Sequence, residues 1–431
     1  MTSIEYTGQH SNSKASPVLI CTTLAEQEIK YAVQDRKIPK DEYKYHMFIS
    51  KVSLHHHDRT ILDNLIAEHL PKAAGGRQGK YRKEFEWHLE QLLLNLGRAL
   101  LCHRWLLIPE HKSRYTGHKS WLKPQGFQYK ACKDLMHYFH DLGLISYKAG
   151  KEYKSGGMCS RVFPSKELVG ELAVLALHTQ QEFKGQYVEF TDKKSPYNEP
   201  GRLPDDHPDI KAMAEINAFL ESHTWPLKGP LKLKYTSSRM LGGRIYTAFQ
   251  SLPSRRYHVR QNILLDGEPV CEVDFNANHL RLNLAIQGID AGEDPYLEIA
   301  ELAGRNTTRD HVKAFITVAM GASSRVEAIG GSLKLKLSPK RFPRIETATI
   351  ELFPQVELFT GFGVLAQALE GQILIKAMRY AMDLDVPMLP LHDAVIVRQK
   401  DSEVAKKALY RAWCEQVGGV FVEPRLKVKT Y

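Results

Sequence analysis

The pattern of apolar and polar positions divides the chain into three stretches. Residues 1–84 are mixed and polar and read as an N-terminal extension of unclear fold. Residues 85–192 read as a compact helical unit with a hairpin. Ala131, Leu135, Met136, Phe139 and Leu142 recur at helical spacing there, which predicts a helix over 129–141 ended by Gly143. "LISYKAG" and "CSRVFPS" then read as strands joined through the polar tip "KEYKSGG". The Pro-, Lys- and Asp-rich segment 193–209 reads as a linker. From 210 to 431 one unit mixing helices and strands follows. Val270, Val273 and Phe275 mark a strand ending near Asp274, and a short turn and a helix come next. "TTRDHVKAFITVAMGASS" and "VLAQALEGQILIKAMRYAMD" predict two further helices, and "VPMLPLHDAVIV" a hairpin or strand pair.

Charge gives the helical unit a second meaning. The chain has 59 basic against 49 acidic residues, a net charge of +10, and the excess is spread along its length. A polyanionic partner is consistent with that balance. The order helix, strand, basic hairpin, strand resembles a winged helix-turn-helix, with 129–141 as recognition helix and 146–162 as wing. Lys130, Lys133 and His137 then share one helix face, and Lys148, Lys151, Lys154 and Arg161 populate the wing. Such charges suit phosphate contacts with duplex DNA. A solvated basic face, or a protein-binding module, explains the same residues. The six cysteines show no CxxC pair, which argues against a zinc ribbon or disulfide framework and fits a reducing, cytoplasmic setting. No apolar run is long enough to predict a membrane span. The His55–His57 run has no carboxylate or thiol at ligand spacing and reads as a solvated turn.

The chemistry rests on two acids in apolar surroundings. Asp393 lies in "PLHDAV", flanked by "VPML" and "VIV", where an ionised carboxylate is costly unless compensated. Asp274 lies in the similar setting "VCEVDFNANHL". Two carboxylates at the ends of adjacent strands suit two magnesium ions roughly 4 Å apart, with manganese as a substitute. Arg309 and Lys313 fall one turn apart on the helix between them, a placement that suits an incoming triphosphate. Paired acids of this kind also serve metal nucleases.

The order acidic strand, basic helix, long helix, acidic turn resembles that of the family A DNA polymerases and the related single-subunit phage and mitochondrial RNA polymerases. "VDFNANHLRLNLA" resembles motif A, "RDHVKAFITVAMG" the fingers helix of motif B, and "LHDAVIV" motif C with its His-Asp pair. "DPYLEIA" and "QILIKAM" resemble the segments that follow motif A and precede motif C. "GGRIY" resembles the RGRxY element of the RNA polymerases, with Arg244 as its arginine. The likeness covers about 235–400. It implies an α+β fold: a right-hand polymerase-like palm and fingers in the C-terminal half, a mixed sheet backed by helices, behind the winged-helix-like domain.

The resemblance implies metal-dependent transfer of a nucleotide to a 3′-hydroxyl on a DNA template, with a primer or an RNA product. Asp274 and Asp393 would hold the metals, Lys313 and Arg309 the triphosphate of a dNTP or NTP, His392 would brace the primer end or Asp393, and Arg244 would touch nucleic acid. Departures concern sugar choice. Met320 precedes Gly321 where the family has Tyr-Gly, one residue closer to Lys313 than usual, and His279 replaces the Glu or Gly at the sixth motif A position. His279 has the bulk to exclude a 2′-hydroxyl, which tilts the expectation to DNA synthesis. A small polymerase without an exonuclease pattern and fused to a DNA reader suits a phage, plasmid or integrated mobile element in a bacterial or phage-infected host. The competing expectations are an RNA polymerase or primase and a non-catalytic DNA-binding replication initiator.

Overall fold

The structure is a computed structural model, and it describes residues 39, 46–54, 59–116, 120, 122–153, 156–190, 206–236, 238–254, 259–304, 306–418 and 422–431. The histidine run at 55–57, Lys154 and positions 193–205 of the expected linker lie outside these residues.

In the N-terminal half, β1 (His46–Phe48) is followed by α1 (Thr60–Ala73), α2 (Gly79–Cys102), β2 (Trp105–Ile108), α3 (Tyr129–Asp141), β3 (Ile145–Lys148), β4 (Ser160–Pro164) and α4 (Val169–Leu177). The sheet order is β1–β2–β4–β3, with β1 and β2 parallel and the other pairs antiparallel. Between β3 and β4 the chain forms a smaller hairpin, Lys151–Tyr153 against Gly156–Met158. The helix expected over 129–141 forms with those bounds, because Leu135, Met136 and Phe139 are all buried on its inner side. Gly143 terminates it at φ 71°. α2 runs unbroken across the 84/85 position at which the sequence reading divides the chain. Two buried amides on α2 also fasten the preceding segment. Asn95 exchanges hydrogen bonds with both backbone groups of Ser50 (3.1 and 2.8 Å), and Gln91 does the same for Val52 (2.9 and 3.0 Å). One turn apart on a helix, the two amides stand in for the edge of a strand.

β5 (Val188–Phe190) pairs in parallel with β6 (Lys232–Thr236), and β6 pairs with β7 (Ser238–Tyr246). A strand from the first half thus completes a sheet of the second, across the expected boundary at 192. α5 (Pro208–Glu221) begins inside the expected linker, with His207 accepting from the Asp209 amide as its cap. The central sheet is built from β8 (Glu268–Phe275), β9 (Leu389–Leu391), β10 (Ala394–Arg398) and β11 (Leu426–Thr430), ordered β11–β8–β10–β9. Every pairing in it is antiparallel, not the mixed sheet expected, because its strands are joined by a hairpin and by returning helices rather than by parallel crossovers. Between β8 and β9 come α6 (Asn278–Ala285), α7 (Pro295–Ala303), α8 (Arg309–Gly321), α9 (Arg325–Lys334), α10 (Phe342–Leu352) and α11 (Phe362–Met382). α12 (Ser402–Val417) precedes β11.

α11 lies hard against β7. An added Cβ on Gly371 would fall 1.8 Å from the Gly243 carbonyl oxygen, and Gly243 itself adopts φ 78°. The space beside Gly243 is taken by this helix, whose Ala368 Cα would lie 3.1 Å from a Cβ there, whereas Gly242 faces Thr236 of β6. A buried network ties the same elements together: Tyr235 donates to Asp209 (2.9 Å) and Gln372 donates to the Tyr235 oxygen (2.8 Å). Gly→Ala inside a helix ordinarily stabilises by about 0.5–1 kcal/mol. At Gly371 the sign should reverse, and Gly371→Ala should lose roughly 3 kcal/mol or more in denaturant unfolding through overpacking. Unchanged or raised stability would show that the two backbones are not in contact.

Candidate active site

Asp274 is the next-to-last residue of β8, paired with Ala394 of β10 on one side and Lys427 of β11 on the other. Asp393 occupies the two-residue turn between β9 and β10, where His392 takes φ 59° to close the hairpin. The Phe275 amide donates to the Asp393 carbonyl at 3.4 Å. The two acids thus stand at the ends of neighbouring elements, Asp274 near the end of β8 and Asp393 in the turn into β10. Their proximity is felt electrostatically: burial, and then the charges of Glu370 and Asp274, push the Asp393 carboxyl up to about 7.

Glu370, on α11, is the residue the sequence reading missed. It is 2% exposed. Its Oε1 lies 3.0 Å from His279 Nε2 and accepts from Asn278 Nδ2 at 3.0 Å, and its Oε2 is 3.9 Å from Arg244 Nη2. Burial alone would raise the Glu370 carboxyl, but His279 and Arg244 hold it below the usual range. His279 is held above its ordinary value by the same contact, against the opposing effect of burial. Nothing local marks Glu370 in the sequence, apart from its being a lone acid in a helix otherwise free of them. Arg244 is half-buried and faces this carboxylate. Burial, and then the positive charges of Arg244 and Arg260, lower the His392 pKa and favour its neutral form.

The fingers-like helix divides its expected residues. Arg309 opens α8 and is fully engaged: it donates to Asp294 (2.8 Å) and to Asn276 (2.7 Å), and stacks over Tyr296 at 5.3 Å. It clamps the start of α8 to the turn after Asp274. Lys313 is exposed and makes no ion pair among the described residues. Met320 is fully buried, so it packs the core and does not face a nucleotide. In the wing, Arg161 is another correction: it is 2% exposed and lies against the Trp105 ring at 5.9 Å. Lys130 and Lys148 are exposed and Lys133 half-buried. His137 sits 3.3 Å from Glu110.

A cation already stands beside Asp274. Lys429 of β11 places its ammonium 2.7 Å from Asp274 Oδ2 and also bonds Glu272, whose other oxygen accepts from Tyr431 at 3.0 Å. The donor set fits a hard divalent cation, because Asp274 and Asp393 offer only carboxylate oxygens. Among the described residues no group of three or more His, Cys, Asp or Glu forms a ready cage. Water and substrate oxygens would complete the coordination, as magnesium prefers.

No protein-family model matches this chain, and no curated protein matches it. Among the described residues no helix is long and apolar enough to cross a membrane.

Two outcomes follow from these charges. Asp393 binds its proton more tightly in the fold than its ordinary value of 3.8. It therefore favours folding fully below that value and loses the contribution as the pH rises through about 7. Without metal, Asp393→Asn should raise the Tm by a few °C at about pH 8, with the gain vanishing towards about pH 4. An equal gain at both ends would remove the charge argument. Lys429→Met should tighten manganese binding, read by electron paramagnetic resonance, about fivefold, the ~1 kcal/mol of a half-exposed ion pair. Weaker binding would mean that the ammonium does not compete for Asp274.

Proposed function

We propose that the chain is a template-directed nucleotidyltransferase of a phage, plasmid or integrated mobile element, acting on DNA by two-metal phosphoryl transfer. The observation that carries this reading is the placement of Asp274 near the end of β8 and of Asp393 in the turn that leads into its neighbour β10, where the charge of Asp274 helps raise the Asp393 carboxyl. Asp274 and Asp393 would hold the magnesium ions, and these, when bound, would lower the pKa of the attacking hydroxyl and offset charge on the leaving pyrophosphate. Lys313, exposed one turn beyond Arg309, would meet the triphosphate, and Arg309 would fix the helix that presents it. His392, neutral at the hairpin tip, would brace the primer end. His279, held in one position by Glu370, supplies fixed bulk near Asp393, and for that reason we favour dNTPs over NTPs.

The helix–strand–helix–strand–hairpin–strand order of the N-terminal half supports a winged-helix reading, in which α3 and the wing bind duplex DNA through Lys130, Lys133, Lys148 and Lys151. A second reading, a replication initiator whose palm-like half has no catalytic role, is favoured by the Lys429–Asp274 pair. An RNA polymerase or primase differs from the first reading in the sugar selected and in starting without a primer.

Primer extension on a defined template separates these, with dNTPs and NTPs in separate reactions, with and without primer. Wild type should incorporate dNTPs, and Asp274→Ala and Asp393→Ala should each lose at least about 100-fold while still binding duplex DNA. NTP incorporation without a primer would make the protein a primase or transcriptase. Duplex binding without incorporation by wild type would leave the initiator.

A further inference from the structure

A cleft of about 550 Å³ opens in the N-terminal half, away from the acids and independent of any chemistry there. Its walls come from the first turns of α2, the Lys51 segment and the turn before α3. We propose that this cleft binds an unpaired nucleotide of single-stranded nucleic acid, with the base stacked on Trp87 and the flanking phosphates on Lys51 and Lys83.

Each part of the cleft is held in place. Trp87 is half-buried, braced by Phe127 at 5.2 Å and His88 at 4.8 Å between ring centroids. Gly126, at φ 88°, lies at the edge of the indole, where a Cβ would sit 3.6 Å from Trp87 Cη2, so its lack of a side chain adds no cover to the partly exposed ring. His88 accepts from the Gln128 amide through Nε2 (2.8 Å), so its Nδ1 carries the proton given to the Glu84 carbonyl (2.6 Å). Burial lowers the His88 pKa and keeps this neutral form, so His88 fastens the start of α3 to α2. Lys51 is fixed as firmly: its amide donates to Gln125 Oε1 (2.7 Å), and its neighbours Ser50 and Val52 are gripped by Asn95 and Gln91.

The chemistry left over is that of a nucleotide site. Lys51 and Lys83 are exposed and form no ion pair among the described residues. The one acid in the lining, Glu84, is already engaged by Gln128 Nε2 at 3.2 Å and by Lys80 at 3.7 Å. An aromatic side chain sharing a cleft with two exposed lysines matches a base with its phosphates, and a stacked base needs no particular sequence. The volume is within the range of small-ligand sites. Duplex DNA offers no unpaired base face, so this site is distinct from the α3 and wing surface.

The test uses the full chain and an oligothymidine of about 15 nucleotides carrying 5-iodouracil. Photo-cross-linking should place the nucleotide on Trp87, a location that separates this cleft from template bound at the palm-like half. In fluorescence anisotropy, Trp87→Ala should weaken binding about fivefold to 100-fold while Trp87→Phe keeps most of it. Duplex binding should be unchanged in both. Lys51→Glu with Lys83→Glu, exposed and harmless to folding, should also weaken binding and flatten the salt dependence by roughly 0.7 per phosphate contact. Cross-links confined to 206–431, or affinities within about twofold of wild type in the Trp87→Ala and lysine variants, would overturn the proposal. The result does not depend on whether the chain polymerises nucleotides.

Discussion

The close approach of two backbones, Gly243 on β7 and Gly371 on α11, sets the geometry of everything around the paired acids. The residue after Gly243 is Arg244, and the residue before Gly371 is Glu370. With no side chain at either glycine, the helix settles directly onto the strand and brings these two neighbours within 3.9 Å. Glu370 then fixes His279, and through Asn278 it is linked to Trp413 of α12, whose indole donates at 3.1 Å. A side chain at position 371 would lever α11 away and disperse the whole group. The steric constraint comes first and the electrostatic arrangement rests on it.

That arrangement is nearly neutral without any added ion. Glu272, Asp274, Asp393 and Glu370 face Lys429, His279 and Arg244, and the remaining imbalance falls on Asp393, the acid whose proton is hardest to remove. A buried carboxylate left without a partner is expensive, so a fold that gathers four must either pair them or keep one protonated. Here three are paired. Asp393 is the place where a further positive charge stabilises the fold most.

Local periodicity made much of this legible. The helix at 129–141, a strand ending near Asp274, a helix carrying Arg309 and Lys313 and a hairpin or strand pair around Asp393 all follow from spacing within a dozen or so residues. What the sequence concealed depends on distant contacts. Lys429 reaches Asp274 only because the last strand returns to pair with β8, and Glu370 is meaningful only once α11 is docked. Arg161 and Met320 show the converse: both occupy positions that a motif places on a functional surface, yet both turn inward, one beside Trp105 and the other into the core below α8.

Whether the Lys429 ammonium excludes a metal is decided by magnitudes. The lysine side chain is 45% exposed and Asp274 26%, so their pair is worth on the order of 1 kcal/mol or less once water screens it. A divalent ion between Asp274 and Asp393 would meet two carboxylates rather than one. It would also relieve the repulsion that helps raise the Asp393 carboxyl to about 7. Lys429 keeps a second acceptor in Glu272 if it leaves Asp274, so yielding the site strands no charge. The ammonium is thus a counter-ion that a metal can displace at small cost.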